Sequence, residues 1–178
     1  MKAERSLKSR ALQLLAQRDQ SRLELRGKLM RHARGRDAAA GHEVEVEVEV
    51  DRGSPAAEVE ALLDWLEANR FLSDERFVES RVQARQARFG LQRIRQELAQ
   101  HAVQLPPDLE RALAASELDR AAIVRERRFD RVPADAAERA AQSRFLLGRG
   151  FSADLVGRLM RRLARPGTSV GDNARRAD

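Results

Sequence analysis

Ser21-Arg22-Leu23-Glu24-Leu25-Arg26-Gly27-Lys28-Leu29-Met30-Arg31-His32-Ala33 decides how the rest of the chain is read, because it recurs. Sixty-nine residues on stands Gly90-Leu91-Gln92-Arg93-Ile94-Arg95-Gln96-Glu97-Leu98-Ala99-Gln100-His101-Ala102. Four of the thirteen positions are identical: Arg26/Arg95, Leu29/Leu98, His32/His101 and Ala33/Ala102. A weaker copy follows 62 residues later, from Phe151-Ser152 through Val156 and Met160 to Ala164. In each copy a small helix-starting residue (Ser21, Gly90, Ser152) is followed four positions on by an apolar i, i+4 pair. The pairs are Leu25/Leu29, Ile94/Leu98 and Val156/Met160. Such a pair puts two side chains on one helix face. Self-similarity of this kind marks a helical array in which each unit buries its face against a neighbour.

Composition agrees with stacked helices. The chain has 178 residues, 42% apolar and 35% charged, with six Phe, one Trp and no Tyr. A core built mostly from Leu, Ala and Val favours several thin helix–helix interfaces over one large centre. Cysteine is absent, which excludes disulfides, thiolate catalysis and Cys-based zinc sites. No apolar run approaches the roughly 18 residues of a membrane span, and the start of the chain has no signal-peptide core, so a cytoplasmic protein without membrane contact is expected. The net charge is +6, yet His42–Asp51 carries five acids and no Lys or Arg, which leaves the remainder at +11. An excess of this size points to a polyanionic or acidic partner. Having 31 Arg against 3 Lys also fits a bias in genomic base composition.

Helices are expected over Ser6–Gln17, with a Leu7, Ala11, Leu12, Leu14, Leu15 stripe, and from Ser21 to about Arg31, opened by a Ser21/Glu24 capping box. Glu43 to Val50 alternates with a period of two, but no partner strand is in view and a lone strand is marginal in water. It reads as a low-complexity acidic linker. Helix resumes over Pro55–Asn69, where Val59, Leu62, Leu63 and Leu66 are candidate core and Trp65 adds bulk. It continues from the Ser73 cap to about Arg88, over Leu91–Ala102, after Pro106-Pro107, and over roughly 117–129, 134–147 and 152–163. The expected fold is all-α: about nine stacked helices with no sheet. The expected organisation is 1–33 as the start of a first repeat, 34–55 as the acidic linker, 56–105 as central helices with the second copy, 106–165 as a third repeat, and 166–178 as a disordered tail.

Three motifs resemble one family. Trp65-x5-Phe71-Leu72-Ser73-Asp74-Glu75-Arg76-Phe77, followed by Phe89-Gly90-x2-Arg93-Ile94-Arg95-Gln96-Glu97-Leu98, is similar to the centre of the RecX family of RecA regulators. Leu14-Leu15-Ala16-x-Arg18-x2-Ser21-x2-Glu24-Leu25-Arg26-x-Lys28-Leu29 looks like its opening motif, and Arg144-Phe145-Leu146-Leu147-x-Arg149-Gly150-Phe151 like its closing one. The resemblance implies an all-α protein of about nine helices as tandem three-helix repeats, elongated and curved, lying in the groove of the RecA–single-stranded DNA filament. It also implies restraint of RecA's ATPase, strand exchange and coprotease stimulation. The chain departs from the pattern at Arg88-Phe89-Gly90-Leu91, where the usual glycine before the aromatic is missing, and in the Glu/Val insert.

Chemistry-bearing residues are sparse. No Gly-x4-Gly-Lys-Ser/Thr loop occurs, and His32, His42 and His101 lack metal-ligand spacing, so no enzyme activity, metal or cofactor is expected. His32 and His101 read as residues near helix C-termini, where an imidazole suits the dipole. Phe71, Phe77 and Trp65 read as core more than as a base-stacking platform. The candidate partner-binding residues are arginines: Arg81, Arg85 and Arg88 at i, i+4, i+7 on one helix, Arg93 and Arg95 on the next, and Arg158, Arg161, Arg162 and Arg165 at the last. Arg125, Arg127, Arg128 and Arg131 form a further cluster, flanked by Glu126 and Asp130. For any one of them a solvated face is the plainer reading; as a set across three repeats they suggest a basic surface. The expected partner is the RecA recombinase filament, with single-stranded DNA reached through it, and the expected state is a monomer. The alternative is a sequence-independent DNA-binding helical module acting without RecA, since Ser6–Gln17 and Ser21–Arg31 could pass for a helix-turn-helix.

Overall fold

The computed structural model describes residues 6–40 and 54–164, the side chains of 36–40 excepted. Among them are nine α-helices and no strand: α1 (Leu7–Gln17), α2 (Arg22–Ala40), α3 (Pro55–Ala68), α4 (Asp74–Gln86), α5 (Leu91–Ala99), α6 (Pro107–Ala115), α7 (Glu117–Glu126), α8 (Ala136–Gly148) and α9 (Ala153–Leu163). The all-α expectation holds. The Glu/Val segment and the tail, including Arg165, lie outside the described residues.

The repeated pattern marks equivalent helix starts. Ser21, Gly90 and Ser152 each stand one residue before a helix, and their carbonyls accept from the amides of Leu25, Ile94 and Val156 at 2.9–3.2 Å. The six apolar-pair residues are all buried: Leu25, Leu29, Ile94 and Leu98 at 0%, Val156 at 3% and Met160 at 4% exposure. The two serines also cap with their hydroxyls, Ser21 Oγ accepting from Glu24 N and Ser152 Oγ from Leu155 N. Gly90 has no hydroxyl to offer. The first free amide of α5, Leu91 N, instead donates to the buried Glu117 carboxylate at 2.7 Å, as Arg22 N of α2 donates to Asp74 at 2.8 Å. Each carboxylate opens another helix, so one acid serves the dipoles of two helix starts.

The equivalence stops at the helix ends. Helix α2 does not end near Arg31: it runs to Ala40, because Gly35 is accommodated and three alanines extend it. Helix α5 stops at Ala99, and Ala102 turns the chain with φ 57°. Ala33 is therefore buried and Ala102 exposed, although the sequence aligns them. His32 lies within a helix rather than at its C-terminus.

The chain divides into two compact units, 1–81 with 99–103, and 82–98 with 104–178. In the first, α1, α2 and α3 close on Leu7, Ala11, Leu14, Leu25, Leu29, Leu63 and their neighbours, with Leu12, Leu15 and Leu62 only partly buried. In the second, α7, α8 and α9 enclose Ala121, Leu146, Phe151, Val156 and Leu159. The α8–α9 turn also lies against the start of α5. Gly90 N donates to Arg149 O at 2.9 Å and Gln92 N to Gly150 O at 3.2 Å. A Cβ on Gly90 would stand 2.3 Å from Gly150 O, and Gly150 itself has φ +82°. Glycine is required at both positions.

A candidate basic docking surface

Which arginines can meet a partner depends on which the fold has already engaged. Several are structural. In the second unit Arg125 is 4% exposed, its Nε donating to Gln142 Oε1 at 2.8 Å and its Nη2 to Arg131 O. Arg120, on the adjacent turn of α7, donates to Gln86 O and Phe89 O past the end of α4 and to Leu113 O on α6, at 2.9–3.0 Å. Burial pulls its pKa below the ordinary guanidinium value, against the attraction of Glu117. The three carbonyls take up its protons, so Arg120 ties the end of α4 and the turn after it to α6. In the first unit Arg22 meets Glu60, Asp64 and Glu67 of α3 at 2.7–2.9 Å. Desolvation works against its charge, but hydrogen bonds to Asp64 and Glu60 with the field of Glu67 outweigh it, and its pKa is raised. Arg26 pairs with the same Glu60, whose carboxyl is held below its usual range by Arg26 first and Arg22 second.

The described sequence-selected arginines fall into four groups. Arg81 and Arg85 are engaged. Arg81 lies over the Phe77 ring at 5.2 Å with Nη2 3.4 Å from His101 Nε2, while Arg85 Nε donates to Glu97 Oε2 at 2.8 Å. Arg93 and Arg95 are half exposed, Arg93 loosely paired with Glu97 at 3.5 Å and Arg95 paired with Glu110. Arg158 and Arg162 are exposed, Arg158 paired with the exposed Asp154 at 3.3 Å and Arg162 at the limit of an ion pair with Asp119, 4.0 Å away. Arg88 and Arg161 are exposed and, among the described residues, make no ion pair. Arg81, Arg85 and Arg88 are thus not one uniform solvent-facing ridge: α4 ends at Gln86, before Arg88, and Glu97 of α5 and the Phe77–His101 contact hold the other two.

The second unit holds a basic concavity that a motif-by-motif reading does not bring together. Ala87, Arg88, Val124, Arg127, Arg128, Phe145 and Arg149 line it, four arginines and no acid. Arg149 lies over both Phe89 and Phe145, at 5.5 and 5.0 Å, and Arg127 Nη1 reaches Ala87 O at 3.3 Å. Arg149 belongs to the closing motif, Arg127 and Arg128 to the cluster after α7, and Arg88 to the end of α4. Only the fold makes them neighbours.

Two expectations about rings need correcting. Phe77 is core, 2% exposed. Trp65 and Phe71 are not: they are 36% and 47% exposed and stack on each other at 5.6 Å, with Lys8 Nζ 3.5 Å from the indole centroid. Helix α3 faces the core with Val59, Leu63 and Leu66, and position 65 falls beside that stripe. His101 is no simple helix cap either. Its ring packs edge-on against Phe77 at 4.9 Å, with Ser21 Oγ 3.4 Å from Nδ1. No group of His, Asp or Glu among the described residues is arranged to hold a metal ion. None of the described helices is long and apolar enough to cross a membrane.

Comparison with known proteins agrees with this architecture. Residues 73–104 match the second three-helix domain of RecX and residues 115–160 the third. A regulatory protein RecX of Ralstonia nicotianae is 45% identical over 157 residues, covering 87% of this chain and 86% of the relative. The chain belongs to the RecX family. Regulatory RecX proteins of Herbaspirillum seropedicae (47% identity over 83% of this chain and 84% of the relative) and Leptothrix cholodnii (46% over 88% of each) are similarly close. These relatives are named as regulatory proteins, not as enzymes.

Proposed function

We propose that this protein binds the RecA–single-stranded DNA filament and restrains RecA's ATPase, strand exchange and coprotease stimulation. It acts in the cytoplasm, as a monomer and without a cofactor. The observation that carries the reading is family membership across 87% of the chain, with relatives called regulatory protein RecX. Exposed arginines support it: Arg88, just after α4, and Arg161, on α9, face solvent without an ion pair among the described residues, and Arg158 of α9 has only the exposed Asp154 beside it. Such residues suit a contact made with many phosphates or carboxylates rather than with one small molecule. The organisation that goes with this reading is a first helical repeat at the start of the chain, a second in its centre and a third over 106–165; the acidic linker is confined to the stretch between α2, which runs to Ala40, and α3, which starts at Pro55.

Arg81 and Arg85 contribute less to the contact than Arg88, because each has a partner within the protein. Arg93, Arg95 and Arg162 have weak or exposed ion pairs that a partner can displace. Gel shift on random single-stranded DNA, with and without RecA and a nucleotide, tests the proposal. Supershift of the RecA complex at concentrations that leave naked DNA unshifted supports it. Equal binding with and without RecA favours the DNA-binding module acting alone.

A further inference from the structure

Ile123 of α7 is 47% exposed although α7 packs against α9. Beneath that contact the packing is close: Ala121, Val124, Leu155 and Leu159 are at most 5% exposed. At its edge Ala122, Ile123, Leu159 and Leu163 wall an apolar groove. The methyl group of Ala122 leaves there the space that a leucine or isoleucine would fill. The groove holds a cavity of about 110 Å³. An apolar cavity of about 150 Å³ stays dry and takes a benzene-sized group. This one therefore suits a single aliphatic side chain, and it falls short of the roughly 300–1,000 Å³ of a small-molecule site.

The rim of the groove runs against the charge of the whole chain. The protein carries +6, yet two carboxylates, Asp119 and Glu126, and one guanidinium, Arg162, border this space. Arg162 comes no nearer to Asp119 than 4.0 Å, and the Asp119 side chain is 80% exposed. Glu126 is exposed at the end of α7 and makes no ion pair among the described residues. A dry apolar slot beside an uncompensated carboxylate is complementary to an aliphatic side chain with a cation next to it.

We propose that the α7–α9 groove is a protein-docking site that receives one aliphatic side chain of the partner, presented with a lysine or arginine beside it. The inference rests on the reading of this chain as a regulator of the RecA filament. It adds to the exposed arginines an anchor of opposite chemistry, apolar and acid-rimmed, for a RecA subunit. A side chain that enters a water-free pocket carries much of the energy of an interface, whereas the charges around it set orientation and association rate.

Inhibition of RecA's DNA-dependent ATPase by the full chain, measured at low and at raised salt, tests the site. Ile123→Gln makes one wall polar at a half-exposed position, and the concentration for half-inhibition should rise about tenfold. That factor should persist as salt rises, because screening does not weaken apolar burial. Ile123→Leu, which keeps the wall apolar, should inhibit as wild type does. Leu147→Gln is the control, a polar change at a 43% exposed leucine of α8 outside the groove, and should also match wild type. Glu126→Lys raises the net charge by two, so a purely basic contact would tighten; the groove requires weaker inhibition, because the new cation meets the partner's own. Lysine at the end of α7 suits the helix dipole, so the helix survives the change. Full inhibition by Ile123→Gln, an equal loss in Leu147→Gln, or a gain in Glu126→Lys overturns the site and leaves the proposed function standing. Sedimentation of the wild type as a dimer that Ile123→Gln converts to a monomer overturns it in favour of a second copy of this chain. An ATPase that the wild type leaves untouched overturns this inference together with the reading on which it rests.

Discussion

Replacing Gly90 by alanine tests the closest backbone approach in the second unit. The added methyl would stand 2.3 Å from Gly150 O and 2.4 Å from Phe151 N, both backbone atoms with no side-chain freedom to yield. The α8–α9 turn must therefore move off the start of α5. That breaks the two hydrogen bonds Gly90 N to Arg149 O and Gln92 N to Gly150 O. Two hydrogen bonds at about 1 kcal/mol each, with about 1–3 kcal/mol for overpacking, set the loss. Alanine restricts the unfolded chain and returns about 0.4–1 kcal/mol. The net destabilisation is about 2–4 kcal/mol. At about 2–4 °C per kcal/mol for a chain of this size, the melting temperature should fall by about 10 °C. Circular dichroism melting of Gly90→Ala beside Gly27→Ala measures it. Gly27 has nothing within 4 Å of its added Cβ and lies inside α2, so its alanine variant should melt slightly higher. If Gly90→Ala melts with wild type, the turn does not lie where the structure puts it.

Leu98→Ala empties a fully buried position of the repeat pair and should cost about 2–5 kcal/mol by chemical denaturation. An unchanged midpoint would refute the repeat register. Glu24 is held at about 2, where desolvation is outweighed by hydrogen bonds from Arg18 and Lys28. A lowered carboxyl contributes stability above its ordinary pKa of about 4.5 and loses it as pH falls toward 2. Glu24→Gln should flatten the acid limb of the stability curve in that window, and an identical acid limb would remove the pair from the account. Trp65 is the sole tryptophan and is 36% exposed, so acrylamide should quench its emission readily. Weak quenching typical of a buried indole would contradict the exposed Trp65–Phe71 stack. Arg88→Glu should weaken RecA inhibition at low salt more than Arg81→Glu does, with the gap closing as salt rises. The reverse order would shift the contact toward the Phe77–His101 side.

The helix starts and the buried pairs were legible because capping and i, i+4 spacing are local and repeat. Helix ends were less so. The sequence aligns Ala33 with Ala102, yet one continues a helix and the other turns the chain at positive φ, a difference set by the residues C-terminal to each. Trp65 and Phe71 misled because hydrophobicity argues for burial while position on the α3 wheel decides it. The candidate surface was half visible. Runs of arginine can be read from the chain, but not that Glu97 already holds Arg85, nor that Arg120 and Arg125 serve buried carbonyls and an amide. A weak signal for the last two existed: each stands in α7 among the residues of an apolar stripe, Ala121, Ala122 and Val124. The four-arginine hollow draws on three separate stretches, so no single motif could announce it.

The central claim is regulation of RecA by direct contact with its filament. RecA's DNA-dependent ATPase, titrated with this protein at fixed RecA and single-stranded DNA, tests it most directly. The account predicts progressive loss of ATP hydrolysis, complete at or below stoichiometric amounts and weakened by Arg88→Glu. An ATPase rate unchanged at stoichiometric protein would contradict it.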